Sequence, residues 1–195
     1  MRITYATKWH AYHLCYEVAC AEKRFEMSYD TLMIANFFVN LSSIKHAPIT
    51  PMKLQKLVFF AHGWYLAITG KPLIADKIEA WQYGTFIPSV YDHFKGNKLI
   101  TEPAKVIKQV KGKIVLYIPE LPTGEDHQFV RDLLQRVWNI YKSYSAIQLS
   151  NMTHALDSPW AKTIEPYREK SLFPYHLEIS QEVIRDYFVD KSARK

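Results

Sequence analysis

The sequence predicts a single α+β domain that is predominantly α-helical and carries one small antiparallel β-hairpin. The chain has 195 residues, of which 48% are hydrophobic and 23% are charged, as is typical of a globular domain with its own core. Apolar residues recur at helical spacing in several segments. One pair of short, β-rich segments flanks Lys111-Gly112, which favours a tight hairpin turn. These observations together indicate a helical core with a hairpin attached.

The first two helices are predicted from their caps and their apolar stripes. Asp30 is a good N-cap residue for the first helix. The stripe that follows it consists of Ile34, Phe37, Phe38 and Leu41. Thr50 caps the second helix, Pro51 fits its first position, and Gly70 ends it. This second helix is apolar on nearly every side and is expected at the centre of the domain, where Gly63 predicts a close neighbour such as another backbone.

The middle of the chain combines short strands with a short helix. A strand is predicted over residues 78–83, because this segment is aromatic and partly β-branched and leads into a glycine turn. Pro88 suits the first turn of a helix that continues through Phe94. The hairpin strands are predicted over residues 106–110 and 114–118.

The C-terminal half is predicted to be helical. An apolar stripe predicts a helix from Asp126 to about Tyr144, and a shorter helix follows Ser145. That helix is expected to end before a loop at residues 157–160. Ser180 caps the predicted C-terminal helix.

The organised domain is expected to span residues 27–190. Residues 1–26 show no clear hydrophobic period and are interpreted as an N-terminal extension that is either unstructured or specific to a partner. Residues 191–195 are expected to fray as a C-terminal tail. The extension contains potential zinc ligands, but their spacing matches no common zinc signature, so neither a metal nor another cofactor is expected. These ligands are His10, His13, Cys15 and Cys20.

Charge and hydropathy indicate whether the protein binds nucleic acid or a membrane and in which cell compartment it is expected. The formal net charge is +6, and much of the excess lies between Lys95 and Lys113. A solvated lysine-rich hairpin is favoured over an RNA-binding surface, because no nucleic-acid motif or stacking platform accompanies the lysines. Nucleic-acid binding with transcriptional autoregulation therefore ranks third among the hypotheses. No apolar run approaches the ~20 residues of a membrane-spanning helix, and the N-terminus makes a poor secretory signal, so a cytoplasmic protein without a membrane partner is expected.

The histidine and the lysines of the second helix have more than one possible role. His62 is interpreted as a hydrogen-bonded core histidine rather than a catalytic base, because no partner acid or nucleophile is implied nearby. Lys53 and Lys56 are either solvated or held for an acidic group, such as a partner's carboxylate or Glu79. The chain contains no phosphate loop, dinucleotide fingerprint or paired catalytic carboxylates. The residues alone thus indicate no active site.

Several segments nevertheless resemble a known family in their order along the chain. Residues 50–67 read TPMKLQKLVFFAHGWYLA and resemble the opening motif of the Panacea domain, the SocA-like or GepA-like antitoxin domain of bacteria and their prophages. Residues 70–73 (GKPL) and 78–91, which include IEAWQYG and PSVY, resemble its second block. Residues 149–160 resemble its SPW block, and residues 179–188 resemble its closing helix. Thr85 departs from the family pattern, which usually has proline after the Tyr-Gly pair.

The resemblance implies a type II antitoxin, which binds a protein toxin encoded in the same operon and blocks it by direct contact. Toxins paired with this domain include alarmone-synthetase-like enzymes. Some relatives act instead as adaptors that deliver the toxin to a Clp-type protease, which is the alternative mechanism. An alternative from another class is a metal-dependent hydrolase that uses His62, His154 or the N-terminal His and Cys residues.

The resemblance also implies which positions shape the domain or its binding face. Trp64 and Gly84 are expected to be structural, and exposed members of the set are the better contact candidates. The family-motif positions are Lys53, Gln55, Lys56, His62, Trp64, Trp81, Tyr83, Gly84, Tyr91, His154, Ser158 and Trp160.

Overall fold

A computed structural model describes residues 28–167 and 176–193 of the protein. The α-helices within these ranges are α1 (Thr31–Ile44), α2 (Pro51–Thr69), α3 (Pro88–Phe94), α4 (Gln128–Tyr141), α5 (Ala146–Thr153), α6 (Pro159–Ile164) and α7 (Gln181–Ala193). The strands are β1 (Glu79–Trp81), β2 (Gly84–Phe86), β3 (Val106–Val110), β4 (Lys113–Tyr117) and β5 (Leu177–Glu178). The mainly helical α+β fold class predicted from the sequence is confirmed.

The strands form two separate antiparallel sheets. One contains three strands in the order β2-β1-β5, and the other is the hairpin β3–β4. The sequence predicted the β3–β4 hairpin but not the pairing of β1 with β2. In the first sheet Trp81 pairs with Gly84, so β1 and β2 are joined by a two-residue loop. Strand β5 escaped prediction because a two-residue strand is too short to show alternation.

Helix α2 lies at the centre of the domain, as its nearly all-round apolar surface predicts. The Thr50 side chain accepts a hydrogen bond from the Lys53 amide at 3.2 Å and caps the helix. Gly70 ends the helix in the left-handed conformation, with φ 70°. Phe59 and Phe60 are fully buried, and α1, α3, α4, α5 and α7 all pack against α2.

The glycine in the middle of α2 allows close contact with α7. A Cβ atom on Gly63 would lie 2.0 Å from Cε2 of Phe188. The close neighbour that Gly63 predicts is therefore present, but it is an aromatic ring rather than a backbone. Trp64 meets the same ring edge to face, with centroids 5.1 Å apart. Its indole N–H donates to the hydroxyl of Tyr141 at 3.2 Å.

Two helix boundaries in the C-terminal half differ from the sequence prediction. The loop predicted at residues 157–160 is wrong, because Ser158 caps α6 and Pro159 is its first residue. A serine followed by proline supplies both an N-cap and a residue suited to the first helical turn. Helix α7 continues to Ala193, so the predicted tail at 191–195 overlaps its last turn. No helix in the described part of the chain is both long and apolar enough to cross a membrane.

Candidate partner-binding surface around the first β-hairpin

The backbone of residues 81–85, here called the β1–β2 turn, is fixed by the side chain of a buried lysine. Lys56 is 2% exposed, and its Nζ donates hydrogen bonds to the carbonyl oxygens of Thr85 at 2.9 Å and Tyr83 at 3.3 Å. The interpretation of Lys56 as a solvated side chain is therefore wrong, and among the described residues its Nζ contacts backbone carbonyls rather than Glu79. That Lys56 is held for a partner's carboxylate stays a prediction. Burial lowers the pKa of Lys56 from 10.5 to about 8.

Side chains from two further helices reach the same turn. The Trp160 indole N–H of α6 donates to the carbonyl of Trp81 at 2.7 Å. The Ser150 hydroxyl of α5 donates to the carbonyl of Tyr83 at 3.1 Å. Three alternate carbonyls along the turn thus accept side-chain hydrogen bonds from α2, α5 and α6. A hairpin turn fixed in this way is ordered before any partner arrives.

Gly84 lies where these side chains converge and has no room for a Cβ atom. Its φ is 105°, a conformation that side-chain-bearing residues rarely adopt. A Cβ would lie 2.8 Å from both Lys56 Nζ and Thr153 Oγ1, and 3.0 Å from His154 Cε1. The His154 ring meets Trp160 edge to face at 4.3 Å, and its Nδ1 donates to the Ser150 carbonyl at 2.7 Å. Gly84 is therefore required by both conformation and space.

The outer face of the three-stranded sheet carries aromatic side chains around a carboxylate. Trp81 stacks on Phe86 with centroids 4.0 Å apart, and Tyr91 of α3 lies 5.1 Å from Phe86. The Glu79 carboxylate accepts hydrogen bonds from the Trp81 indole at 2.7 Å and from His176 Nδ1 at 3.1 Å. Glu79 is thus engaged by these neighbours rather than by Lys53 or Lys56, which the sequence offered as its partners.

Exposed aromatic groups lie beside this fixed backbone. The side chain of Tyr83 is 71% exposed and that of Tyr91 is 44% exposed, whereas Trp81 and Phe86 are half-buried. We call Trp81, Tyr83, Phe86 and Tyr91 the turn surface. Tyrosine and tryptophan present large contact areas with few rotatable bonds, which is why they anchor many protein interfaces.

Two other family-motif positions connect α2 to its neighbours. The Gln55 side chain donates to the carbonyl of Ile87 and accepts from its amide, each at 2.9 Å, and so fixes the residue that precedes α3. Lys53 Nζ donates to the carbonyl of Lys142 at 2.6 Å, just beyond the end of α4. Partial burial lowers the pKa of Lys53. Both side chains join elements of the fold through backbone groups.

His62 is buried in the core, as its interpretation as a core histidine predicts. Its Nε2 donates to the side-chain oxygen of Gln181 at 2.7 Å, and its Nδ1 faces the amide of Ile74 at 3.5 Å. Burial lowers the pKa of His62 to about 4, so the ring is neutral at neutral pH. The ring is 0% exposed and cannot meet a substrate without unfolding of its surroundings.

The structure therefore divides the motif positions into groups. Those brought together at the β1–β2 turn are Lys56, Trp81, Tyr83, Gly84, His154 and Trp160. Ser158 caps the helix that carries Trp160, and Tyr91 joins the turn surface. Those that lie elsewhere in the fold are Lys53, Gln55, His62 and Trp64.

Sequence reasoning missed several residues that complete this region. Ser150 lies four residues before His154 in the family-like segment 149–160, and this spacing places the α5 residue Ser150 next to the C-cap residue His154. That spacing could have revealed it. His176 gave no local signal, because its contact with Trp81 joins two segments that are far apart in the sequence. Thr85, which stands where the family has proline, is buried, and its hydroxyl has no hydrogen-bond partner among the described residues.

The described residues form no cluster of potential metal ligands. Within residues 28–167 and 176–193, no group of three or more His, Cys, Asp or Glu residues is arranged to hold a metal ion. His10, His13, Cys15 and Cys20 lie outside the described residues.

Comparison with known proteins agrees with the motif resemblance. Residues 54–161 match the family described as "Antitoxin SocA-like, Panacea domain". The chain is 31% identical to antitoxin SocA of Caulobacter vibrioides (strain NA1000 / CB15N) over 134 residues, which are 68% of this chain and 69% of the relative. No solved structure matches the chain. By this family match and this relative, the chain belongs to the SocA-like antitoxin family with a Panacea domain.

Proposed function

We propose that the protein is a type II antitoxin that binds a protein toxin encoded in the same operon and neutralises it by direct contact. The turn surface is the proposed contact. The observation that carries this proposal is the fixation of the β1–β2 turn by Lys56, Ser150 and Trp160, which holds the backbone of the exposed Tyr83 in place.

Preorganisation explains why such a turn suits tight binding. A loop that becomes ordered only on binding loses conformational entropy at that moment, which weakens the complex. The β1–β2 turn is already ordered by hydrogen bonds from three helices. An exposed aromatic side chain on a rigid backbone then adds contact area at low entropic cost.

An inhibitory rather than enzymatic role accords with how the polar groups are used. Lys56, His154 and Trp160 bind backbone carbonyls of the chain itself, and His62 is buried and neutral. These groups therefore stabilise the fold and are not available to act on a substrate. We place the interaction in the cytoplasm, where a toxin acting on translation or nucleotide pools would meet its inhibitor.

Co-expression tests the proposal directly. The adjacent gene is induced in cells with and without this protein, and growth is measured. Rescue by the wild-type chain, together with co-purification of the two proteins, is the expected result. Growth arrest that is indifferent to this protein would overturn the antitoxin proposal.

Starting the chain at Met27 shows whether residues 1–26 contribute to rescue. Because the turn surface lies within residues 28–167, we expect the shortened chain to retain the toxin. If removal of residues 1–26 by itself abolishes toxin binding, the toxin contact lies in this extension and not in the turn surface.

The fate of the toxin separates inhibition from delivery to a Clp-type protease. We measure the toxin's half-life after synthesis is stopped, in cells with and without the Clp protease. Direct inhibition predicts rescue in both strains. Rescue that requires the protease would favour the adaptor mechanism.

A further inference from the structure

The β3–β4 hairpin exposes one strongly apolar face. Ile107 pairs with Leu116, and Gln109 pairs with Ile114, so these four side chains lie on the same side of the two-stranded sheet. Ile107 is 75% exposed, Ile114 79% and Leu116 65%. We call these four residues the hairpin face. A single exposed aliphatic residue is ordinary, but three on one sheet face form a patch of the kind that marks interaction sites.

The hairpin that carries this face has a net positive charge. Residues 105–117 contain four lysines and no acidic residue. Lys105 pairs with Glu102 at 2.8 Å, and Lys108 lies over the ring of Tyr117 at 4.2 Å. In the described ranges no carboxylate pairs with Lys111 or Lys113. Lys108 pairs with Val115 and Lys113 pairs with Val110, so these two lysines lie on the side of the hairpin opposite to the hairpin face. The hairpin thus offers an apolar face on one side and lysines on its other side and at its turn.

We infer that the hairpin face is a second docking surface for the toxin, fitting a region where acidic residues border an apolar strip. This inference rests on the proposed function, because the toxin is its occupant. Aliphatic contacts exclude water at the hairpin face, and the net positive charge of the hairpin attracts an acidic partner and speeds encounter.

Copies or segments of this chain fit the hairpin less well. Two hairpins from two copies would bring two net positive charges close together, and like charges repel. Residues 1–27 carry four basic and three acidic residues and therefore have no net negative charge to match the hairpin. Charge complementarity therefore favours a different, acidic protein.

Nucleic acid and membrane fit the same features less well than protein does. Nucleic acid would use the lysines but gain little from an aliphatic face, and the one aromatic ring of the hairpin is already covered by Lys108. In lipid, the unpaired outer edges of a two-stranded sheet would be costly, since no water satisfies their backbone groups. In a protein complex those edges can gain a third strand.

The affinity of the full-length chain for the product of the adjacent gene tests the inference. The apolar variant combines Ile107→Thr, Ile114→Thr and Leu116→Thr, which preserve strand propensity. Its matched control combines Ile44→Ser, Ile147→Ser and Leu156→Ser, which remove equally exposed aliphatic groups elsewhere. We expect Kd to rise about tenfold or more for the hairpin variant, and less than about twofold for the control.

A charge variant provides an independent readout. The substitutions Lys108→Glu and Lys113→Glu should slow association by about tenfold at low salt, and the difference from wild type should shrink at about 0.5 M salt. Because both side chains are exposed, the variant is expected to fold.

The outcomes separate this inference from the proposed function. If the toxin binds wild type and both hairpin variants equally well, the hairpin inference is wrong and the proposed function stands. If wild type does not bind the toxin, both fail. Lysine-dependent binding of polyuridylate RNA or of phosphatidylglycerol vesicles, without an effect on toxin affinity, would assign the hairpin to those partners and overturn the inference.

Discussion

The two β-hairpins have loops of the same length but very different surroundings. Trp81 pairs with Gly84 around one loop, and Val110 pairs with Lys113 around the other. Each loop region contains a glycine with positive φ, 105° at Gly84 and 76° at Gly112. A Cβ on Gly84 would lie within 3.0 Å of three side chains, whereas a Cβ on Gly112 would meet nothing within 4 Å.

The difference shows two ways of ordering a hairpin. At the β3–β4 loop, positive φ at both Lys111 and Gly112 matches the type I′ turn, whose twist suits the flanking strands. At the β1–β2 turn, hydrogen bonds from three helices determine the geometry. The first hairpin is therefore coupled to the stability of the whole domain, and the second depends mainly on its own turn.

Alanine at the two glycines should produce the largest difference in stability. We expect Gly84→Ala to lower the free energy of unfolding by about 2–4 kcal/mol, because it combines backbone strain with steric overlap. Gly112→Ala should lower it by only about 1 kcal/mol, from backbone strain alone. Urea denaturation of both variants measures this. Equal losses would contradict the view that the surroundings of Gly84 determine its turn.

The pH dependence of stability should depend on Lys56. Its pKa is about 8 in the folded protein against an ordinary value of 10.5, so between these values the unfolded state binds more protons. Lys56 therefore adds to the free energy of unfolding as pH rises through this window. From about pH 7 to about pH 9.5, wild type should gain on the order of 2 kcal/mol relative to Lys56→Met.

The titration of a tyrosine limits the pH range of this experiment. Burial raises the pKa of Tyr29 to about 12, and this tyrosine lowers stability as pH rises above 10, so the scan stops below that value. Lys111→Met in the other hairpin is the matched control and should keep the wild-type slope. A Lys56→Met variant with the wild-type slope would mean that Lys56 is not buried in solution.

Removal of one indole hydrogen bond at the turn should have a smaller effect. Trp160→Phe removes the donor to the Trp81 carbonyl and should lower the free energy of unfolding by about 1 kcal/mol. Trp64→Phe is the matched control, since it removes an indole hydrogen bond to Tyr141 away from the turn. In denaturation measurements we expect both variants to lose similar stability. In affinity measurements we expect weaker toxin binding only for Trp160→Phe. Weakening by both variants alike would remove the special role of the turn.

The sequence predicted local structure well and tertiary contacts poorly. Caps such as Thr50 and Ser180 were readable because a helix start depends on a few neighbouring residues. The partners of Lys56 were not, because they are backbone carbonyls about thirty residues away along the chain. Carbonyl groups occur at every residue and leave no mark in a sequence. The resemblance to the Panacea family identified many of the turn residues, but only the fold shows that most of them stabilise the turn.

Tyr83→Ala is the most direct test of the account. It tests the proposed division between residues that fix the turn and residues that contact the toxin. Its side chain is 71% exposed, while its carbonyl accepts from Lys56 and Ser150, and alanine preserves that carbonyl. Toxin affinity and the free energy of unfolding are measured on the same preparation. We expect Kd to rise by about thirtyfold or more, with stability within about 0.5 kcal/mol of wild type. Unchanged toxin affinity in a stably folded Tyr83→Ala protein would contradict the assignment of the turn surface as the toxin contact.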